Sequence, residues 1–383
     1  MTADHRSAPI AGTTDPRFSP VREAFASTFA SGLEYGGGVA VVLDGRTMVE
    51  LWGGHADAAR TKPWQRDTLI NVWSSTKGIV ALAVAMLVER GNLDYAAPVA
   101  RWWPEFAAAG KERLPLDLVM SHQAGLNGLA VPMDEAGLLA WKPYADALAA
   151  MAPLWEPGSR TIYHALSYGH LAGEPLRRVT GRSVGRFVAE EIAGPLGADF
   201  FIGLPEREDA RVAEMIEGPK ASDWVAFVQT TPFPHSCANP TPLATAPNHR
   251  AWRAAEVPGG NGQATAAALA RIYGMMAAGG TLDGRRMIGR DAIVEATRPR
   301  VRGVDESFAS PSAFAAGWQI EDPVYAGRAS SRTFGHTGWG GAIGFADPEA
   351  RLGFGYVTNR MLGFDDGIDP RRKALIDAVY DCL

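Results

Sequence analysis

The chain has 383 residues, 46% apolar and 21% charged, the balance of a globular protein that can bury one large core or two lobes. Its net charge of −5 and lack of any charge-dominated tract argue against nucleic acid as a partner, since phosphate binding needs a basic face. Two cysteines, Cys237 and Cys382, are too few for a disulfide framework, so reduced thiols are the simpler reading.

Residues 1–19 read as a loose, polar, proline-punctuated arm. No basic stretch leads into an apolar run there, and the expectation is a cytoplasmic protein without an export signal. The longest apolar run, Ile79 to Val88, is too short to span a membrane, so no membrane partner is expected. Val21, Phe25, Phe29 and Leu33 recur at helical spacing, and Gly36-Gly37-Gly38 ends that helix. Val39 to Leu43 and Thr47 to Trp52 read as strands turned at Asp44-Gly45. A strongly apolar helix follows, from near Ser74 to Arg90-Gly91. Val99 to Phe106 is aromatic and proline-broken, while 134–152, Tyr168 to Thr180 and Val184 to Ile192 carry helical patterns. Residues 203–250 lack periodicity, and a loop of that length predicts a functional cap. Thr265 caps a helix that Gly279-Gly280 ends. Strands are expected over Phe314 to Ile320, Thr333 to His336, Gly341 to Ala346 and Leu352 to Thr358, then a closing helix over Arg371 to Cys382.

The order of elements predicts an α/β (α+β) fold. An antiparallel sheet is drawn from both chain ends, residues 20–90 and 300–383, and flanked by the terminal helices. A mainly helical lobe, residues 91–299, is inserted between them. A cleft between lobes is the usual place for a small-molecule site.

Three stretches could carry chemistry. Ser74 and Lys77 are i and i+3 at the start of the apolar helix, hence on one face about a turn apart. Free N–H groups at a helix start can hold developing negative charge, and a lysine there can accept the serine proton. Lysine is scarce in this chain, with six in all, and the helix behind Lys77 is apolar, which predicts a buried amine with a lowered pKa. Tyr163 follows a Pro157-Gly158 turn and is either a core tyrosine or a proton relay beside the lysine. In His336-Thr337-Gly338-Trp339-Gly340-Gly341 the glycines would let a substrate approach the backbone, and the N–H groups of Trp339 and Ser74 could form an oxyanion hole. The bland reading of that run is a glycine-rich hairpin with a surface histidine.

In this order the three stretches resemble the serine β-lactamase and penicillin-binding protein superfamily, whose pattern is Ser-x-x-Lys, Tyr-x-Asn and Lys-Thr-Gly. The match is nearer to its class C β-lactamase-like branch, and above all to the family VIII bacterial carboxylesterases. Leu51-Trp52-Gly53-Gly54, Ser121-His122-Gln123-Ala124-Gly125-Leu126 and Trp155-Glu156-Pro157-Gly158 are similar to that branch as well. The resemblance implies a β-lactamase/D,D-peptidase-like fold, catalytic Ser74, Lys77 and Tyr163, and a substrate site at His336, Gly338, Trp339 and Ala165. Two positions depart from the pattern. Ala165 stands in place of the asparagine amide, and His336 replaces a fixed cation with a titratable imidazole. Both changes weaken recognition of a charged amide and point to neutral short-chain esters, with weak β-lactam hydrolysis left open. A β-lactamase or D,D-peptidase, or an acyltransferase using the same acyl-enzyme, is the alternative. No cofactor is needed, and no metal site is expected, since the eight histidines form no His-x-x-x-His pair. Trp155, Trp224, Phe233, Tyr168 and Trp339 are candidates for an apolar pocket. Gly181-Arg182-Ser183-Val184-Gly185 mimics a nucleophile elbow, but a helix precedes it and Ser183 sits where a helix cap belongs.

Overall fold

The computed structural model describes residues 9–308, 310–320, 325, 327–364 and 368–383. Its frame is a nine-stranded antiparallel sheet. The strands are β1 (Ile10–Thr14), β2 (Gly36–Leu43), β3 (Arg46–Gly54), β4 (Val301–Asp305), β5 (Ser310–Phe314), β6 (Gln319–Ile320), β7 (Phe334–Thr337), β8 (Ile343–Asp347) and β9 (Leu352–Thr358). They lie in the order β1-β3-β2-β9-β8-β7-β6-β5-β4, so both chain ends build the sheet. β2 and β9 join the two halves, in register from Leu43 opposite Leu352 to Gly37 opposite Thr358.

Helices α1 (Ser19–Ala30) and α7 (Pro370–Tyr380) cover one face through a core of Phe18, Phe25, Val39, Val41, Phe345, Phe354, Leu375 and Ile376. The other face is covered by α6 (Ala266–Ala277), a segment that the sequence pattern assigns to the inserted lobe. Glycines permit this close approach. A Cβ on Gly353 would fall 2.1 Å from the Gly274 nitrogen, and one on Gly355 2.3 Å from the Ala266 carbonyl oxygen. The Thr265 hydroxyl caps α6 by accepting from Ala268 N–H at 3.1 Å.

The second core surrounds α2 (Ser75–Glu89), which is buried on nearly every face, with α3 (Ser167–Thr180) and α4 (Val184–Val188) packed on it. α4 runs on into a wider turn at Ala189–Ala193. Several elements differ from the sequence pattern. Ile10–Thr14 is an edge strand rather than loose arm, and with only alternate residues half-buried it has a weak apolar signature. The pattern over 134–152 resolves into Glu135–Leu139 and Lys142–Ala150, broken at Trp141 with φ +64°. Strand β4 has no alternation to betray it, and 314–320 is two strands parted at Ala315–Trp318. The 203–250 stretch holds a short helix, α5 (Asp223–Thr230). No helix among the described residues is long and apolar enough to cross a membrane.

Candidate active site

Ser74 occupies the N-cap of α2. Every other residue from Thr68 to Leu87 is buried, while Ser74 keeps partial exposure, so the chain presents one hydroxyl at the helix start. Trp73, just before it, has φ +46°, an outlying conformation for a bulky residue that the surroundings must enforce. Val72 N–H donates to the Gly262 carbonyl at 2.8 Å, Gly262 N–H donates to Thr76 Oγ1 at 2.9 Å, and Asn71 Nδ2 donates to the Gly260 carbonyl at 3.0 Å. The Gly259–Gly262 turn thus braces the Ser74 corner.

Lys77 is fully buried and, among the described residues, faces no carboxylate. Its Nζ lies 2.9 Å from Ser74 Oγ, 2.8 Å from the Ala165 carbonyl oxygen and 2.6 Å from that of Gly259. Burial alone holds it well below the ordinary lysine range. A neutral amine has two N–H donors and one lone pair. The two carbonyls match the donors, which leaves the lone pair for the Ser74 hydroxyl proton.

Tyr163 is buried with its ring 4.8 Å from Lys77 Nζ. Burial raises its pKa, the Ser74 hydroxyl opposes this as a hydrogen-bond partner, and Asp305 adds to the rise, so the group is a phenol at neutral pH. Its backbone is held on both sides. Tyr163 N–H donates to Asp305 Oδ2 at 2.9 Å, and the Ser236 hydroxyl donates to the Tyr163 carbonyl at 2.5 Å. Asn127 Nδ2 in turn donates to Ser236 Oγ at 2.9 Å. Neither Asp305 nor Ser236 belongs to a recognisable motif, and only β4 and the 203–250 stretch bring them here.

The His336 run closes the third side. β6 is only two residues long, so His336 and Thr337 extend past it, and Gln319 Oε1 accepts from Thr337 N–H and Oγ1 in place of a strand. His336 is buried, not the surface histidine of a glycine-rich hairpin, and burial also removes the titratable imidazole expected from the sequence. Burial first, then Lys77, pushes its pKa down to about 3, with the Thr337 carbonyl opposing. The ring is therefore neutral across the ordinary pH range. Its Nδ1 lies 2.7 Å from the Thr337 carbonyl oxygen, which assigns the proton to Nδ1. Gly338 packs closely on the Ser74 corner, since a Cβ there would fall 2.2 Å from the Val72 carbonyl oxygen. The Ser75 hydroxyl donates to the His336 carbonyl at 3.0 Å, which ties the run to the Ser74 helix. Among the described residues neither Ser74 N–H nor Trp339 N–H donates a hydrogen bond within the protein. Ala165 contributes its carbonyl to Lys77, and its methyl packs with Tyr163 and Phe314.

Aromatic rings form an arc around the serine. Trp73 meets Trp339 at 4.6 Å, Trp339 meets Trp224 at 5.2 Å, Trp224 meets Phe308 at 5.9 Å and Phe308 meets Tyr163 at 5.8 Å. Trp155 and Phe233 pair with each other at 5.7 Å, and Tyr168 is fully buried behind Lys77 rather than in a pocket wall. A cavity of about 450 Å³ lies elsewhere, among Met276, Arg290, Ile293, Thr333 and Arg351, and none of the residues above lines it. Ser183 caps α4, accepting from Arg186 N–H at 3.2 Å and donating to Glu256 at 2.5 Å, remote from any lysine–tyrosine pair. Among the described residues no three metal-ligating side chains converge.

The model of the beta-lactamase family matches residues 25–378. An esterase/beta-lactamase, LipL, from Mycobacterium tuberculosis is 38% identical over 367 residues, spanning 92% of this chain and 83% of its own. The crystal structure of a family VIII carboxylesterase superposes with a TM-score of 0.91 at 44% identity, over 98% of this chain and 100% of that one. A penicillin-binding protein homologue from Caulobacter crescentus superposes with a TM-score of 0.89 at 40% identity, over 98% and 100%. The corner of Ser74, Lys77 and Tyr163 thus sits in a chain that matches over nearly its whole length, and the chain belongs to the beta-lactamase family.

Proposed function

We propose that this protein is a serine carboxylesterase that hydrolyses neutral short-chain esters through an acyl-enzyme on Ser74. The observation that carries the reading is a buried lysine, with no carboxylate beside it among the described residues, whose Nζ lies 2.9 Å from a partly exposed serine hydroxyl. Ser74 Oγ attacks the ester carbonyl as Lys77 takes its proton. The N–H groups of Ser74 and Trp339 receive the oxyanion, and the Tyr163 phenol protonates the departing alkoxide. Water then attacks the acyl-enzyme by the same groups in reverse order. Lys77 is the base and Tyr163 the acid because burial favours the uncharged form of each, amine in one case and phenol in the other. At position 336 a β-lactam carboxylate would meet a neutral imidazole, which favours esters over charged substrates. The free, buried thiols of Cys237 and Cys382 support a reducing compartment, and we place the protein in the cytoplasm.

The test is Ser74→Ala assayed on a short-chain nitrophenyl ester beside nitrocefin, with mass spectrometry of the wild type stopped during turnover. Loss of ester hydrolysis and an acyl adduct on Ser74 are expected. Hydrolysis of nitrocefin in preference to the ester would move the assignment to a β-lactamase. Full ester activity in Ser74→Ala would remove Ser74 from the mechanism.

A further inference from the structure

Arg371, on α7 and on the far side of the sheet from α2, is fully buried. Two carboxyl groups face it. Its Nη2 is 2.7 Å from Asp369 Oδ2, and its Nη1 is 3.4 Å from Glu34 Oε1. One carboxylate is enough to pair its charge, yet the guanidinium also reaches into the glycine-rich run. Its Nη2 donates to the Gly340 carbonyl at 2.8 Å, and Nη1 donates to the Arg360 carbonyl at 2.8 Å.

The Gly340 carbonyl belongs to the turn that carries Trp339. Gly341 N–H donates to the Gly338 carbonyl at 3.3 Å, closing a four-residue turn with Trp339 and Gly340 in the middle. Gly340 has φ +83°, the conformation that a type II turn requires at its third residue. Gly338 N–H donates to the Ala342 carbonyl at 2.6 Å, so the turn sits squarely on β7 and β8. With the Gly338 carbonyl directed to Gly341, the Trp339 N–H across the same peptide plane points the opposite way. The Trp339 side chain is tied separately, Nε1 donating to the Ala221 carbonyl at 2.5 Å. Glycines at 340 and 341 supply no side chain of their own to stiffen the turn. A Cβ at Gly341 would lie 2.6 Å from Arg371 Nη2, so the guanidinium fills the space beneath it.

We infer that Arg371 is a positioning residue for ester hydrolysis: from the C-terminal helix it fixes the Gly338–Gly341 turn and so aims the Trp339 N–H at the oxyanion. The inference rests on the proposed acyl-enzyme chemistry at Ser74. Arg371 touches no reacting atom, and its effect is confined to the step that develops charge on the carbonyl oxygen. Lysine cannot replace it, because an ammonium lacks the planar fork that spans Asp369 and the Gly340 carbonyl together.

The experiment uses the full-length protein with Arg371→Lys and Arg371→Ala. Ester kinetics, thermal melting and the rate of inactivation by a short alkyl fluorophosphonate, whose phosphoryl oxygen mimics the oxyanion, are measured for each. The expected result is a kcat lowered about a hundredfold, the loss seen when one oxyanion donor is removed, with KM within about threefold. Inactivation by the phosphonate should slow in parallel, and millimolar guanidinium should restore part of the kcat of Arg371→Ala. A lower melting temperature with unchanged kcat overturns the inference and leaves Arg371 a stabilising ion only. If neither variant folds, Asp369→Asn loosens the same guanidinium while an amide oxygen stays to cap α7; unchanged kcat in that variant also overturns it. Ser74→Ala separates the two readings. Activity that survives in it refutes the acyl-enzyme itself, whereas activity lost there but intact in Arg371→Lys refutes only the role of Arg371.

Discussion

Replacing Lys77 with methionine should separate activity from stability. Nζ is lost while the apolar stem is kept, in a site with no exposure. Two buried carbonyls, Ala165 and Gly259, lose their donor, at about 1–3 kcal/mol each. Against this stands the cost of the native arrangement. Burial lowers the pKa of that amine well below its ordinary value, so holding it uncharged and desolvated costs stability relative to the unfolded chain. The two terms have opposite sign, so Lys77→Met should melt closer to wild type than the loss of its hydrogen bonds alone would give. Its kcat/KM should fall by about 10²–10⁴, the contribution of a general base, or about 3–5 kcal/mol in the barrier. The sign of the pH effect is fixed as well. Between the lowered folded pKa and 10.5 the unfolded chain holds a proton that the folded chain does not, so stability from this site rises with pH in that window. Denaturant titrations from about pH 7 to 9 should show that slope in the wild type and not in the variant. Equal slopes, or a variant retaining a tenth of wild-type kcat/KM, would show that Lys77 is charged when folded or is not the base.

Three further changes bear on the same account. Ser183→Ala should leave ester hydrolysis at wild-type level and cost about 1 kcal/mol in denaturant titrations, since Ser183 caps a helix and bonds Glu256 away from Ser74. Gly353→Ala places a Cβ 2.1 Å from the Gly274 nitrogen, and the forced separation of β9 from α6 should cost about 3 kcal/mol, read from the denaturation midpoint. His336→Lys restores the Lys-Thr-Gly pattern but buries a second amine beside Lys77, and should cost at least about 2 kcal/mol in denaturation at neutral pH. A gain of nitrocefin turnover in a fully stable His336→Lys protein would show that this position opens to substrate.

The elements legible in the sequence are those set by local rules. Leu352–Thr358 reads as a strand in sequence and forms one with the same bounds, and the Thr265 cap lies where its hydroxyl can reach Ala268 N–H. The placement of Ser74 and Lys77 on one helical face needs only three residues of spacing and the helical repeat. The edges of the sheet were harder. Strand β4 shows no alternation because three of its five residues are exposed, yet it delivers Asp305 to the Tyr163 N–H.

The sequence by itself determined the chemistry on offer: a serine at a helix start, a lysine one turn on and a glycine-rich hairpin. Only the tertiary structure decided the charge states and the aim of those groups. The carbonyls that cradle Lys77 come from 88 and 182 residues away, and the carbonyl bound by Ser75 from 261 away. His336 is an ordinary imidazole in the sequence and one held to its neutral form in the fold, because desolvation depends on what other segments bury it. Spacing fixes which atoms one helix can bring together; burial and the direction of a distant carbonyl follow only from how the whole chain packs.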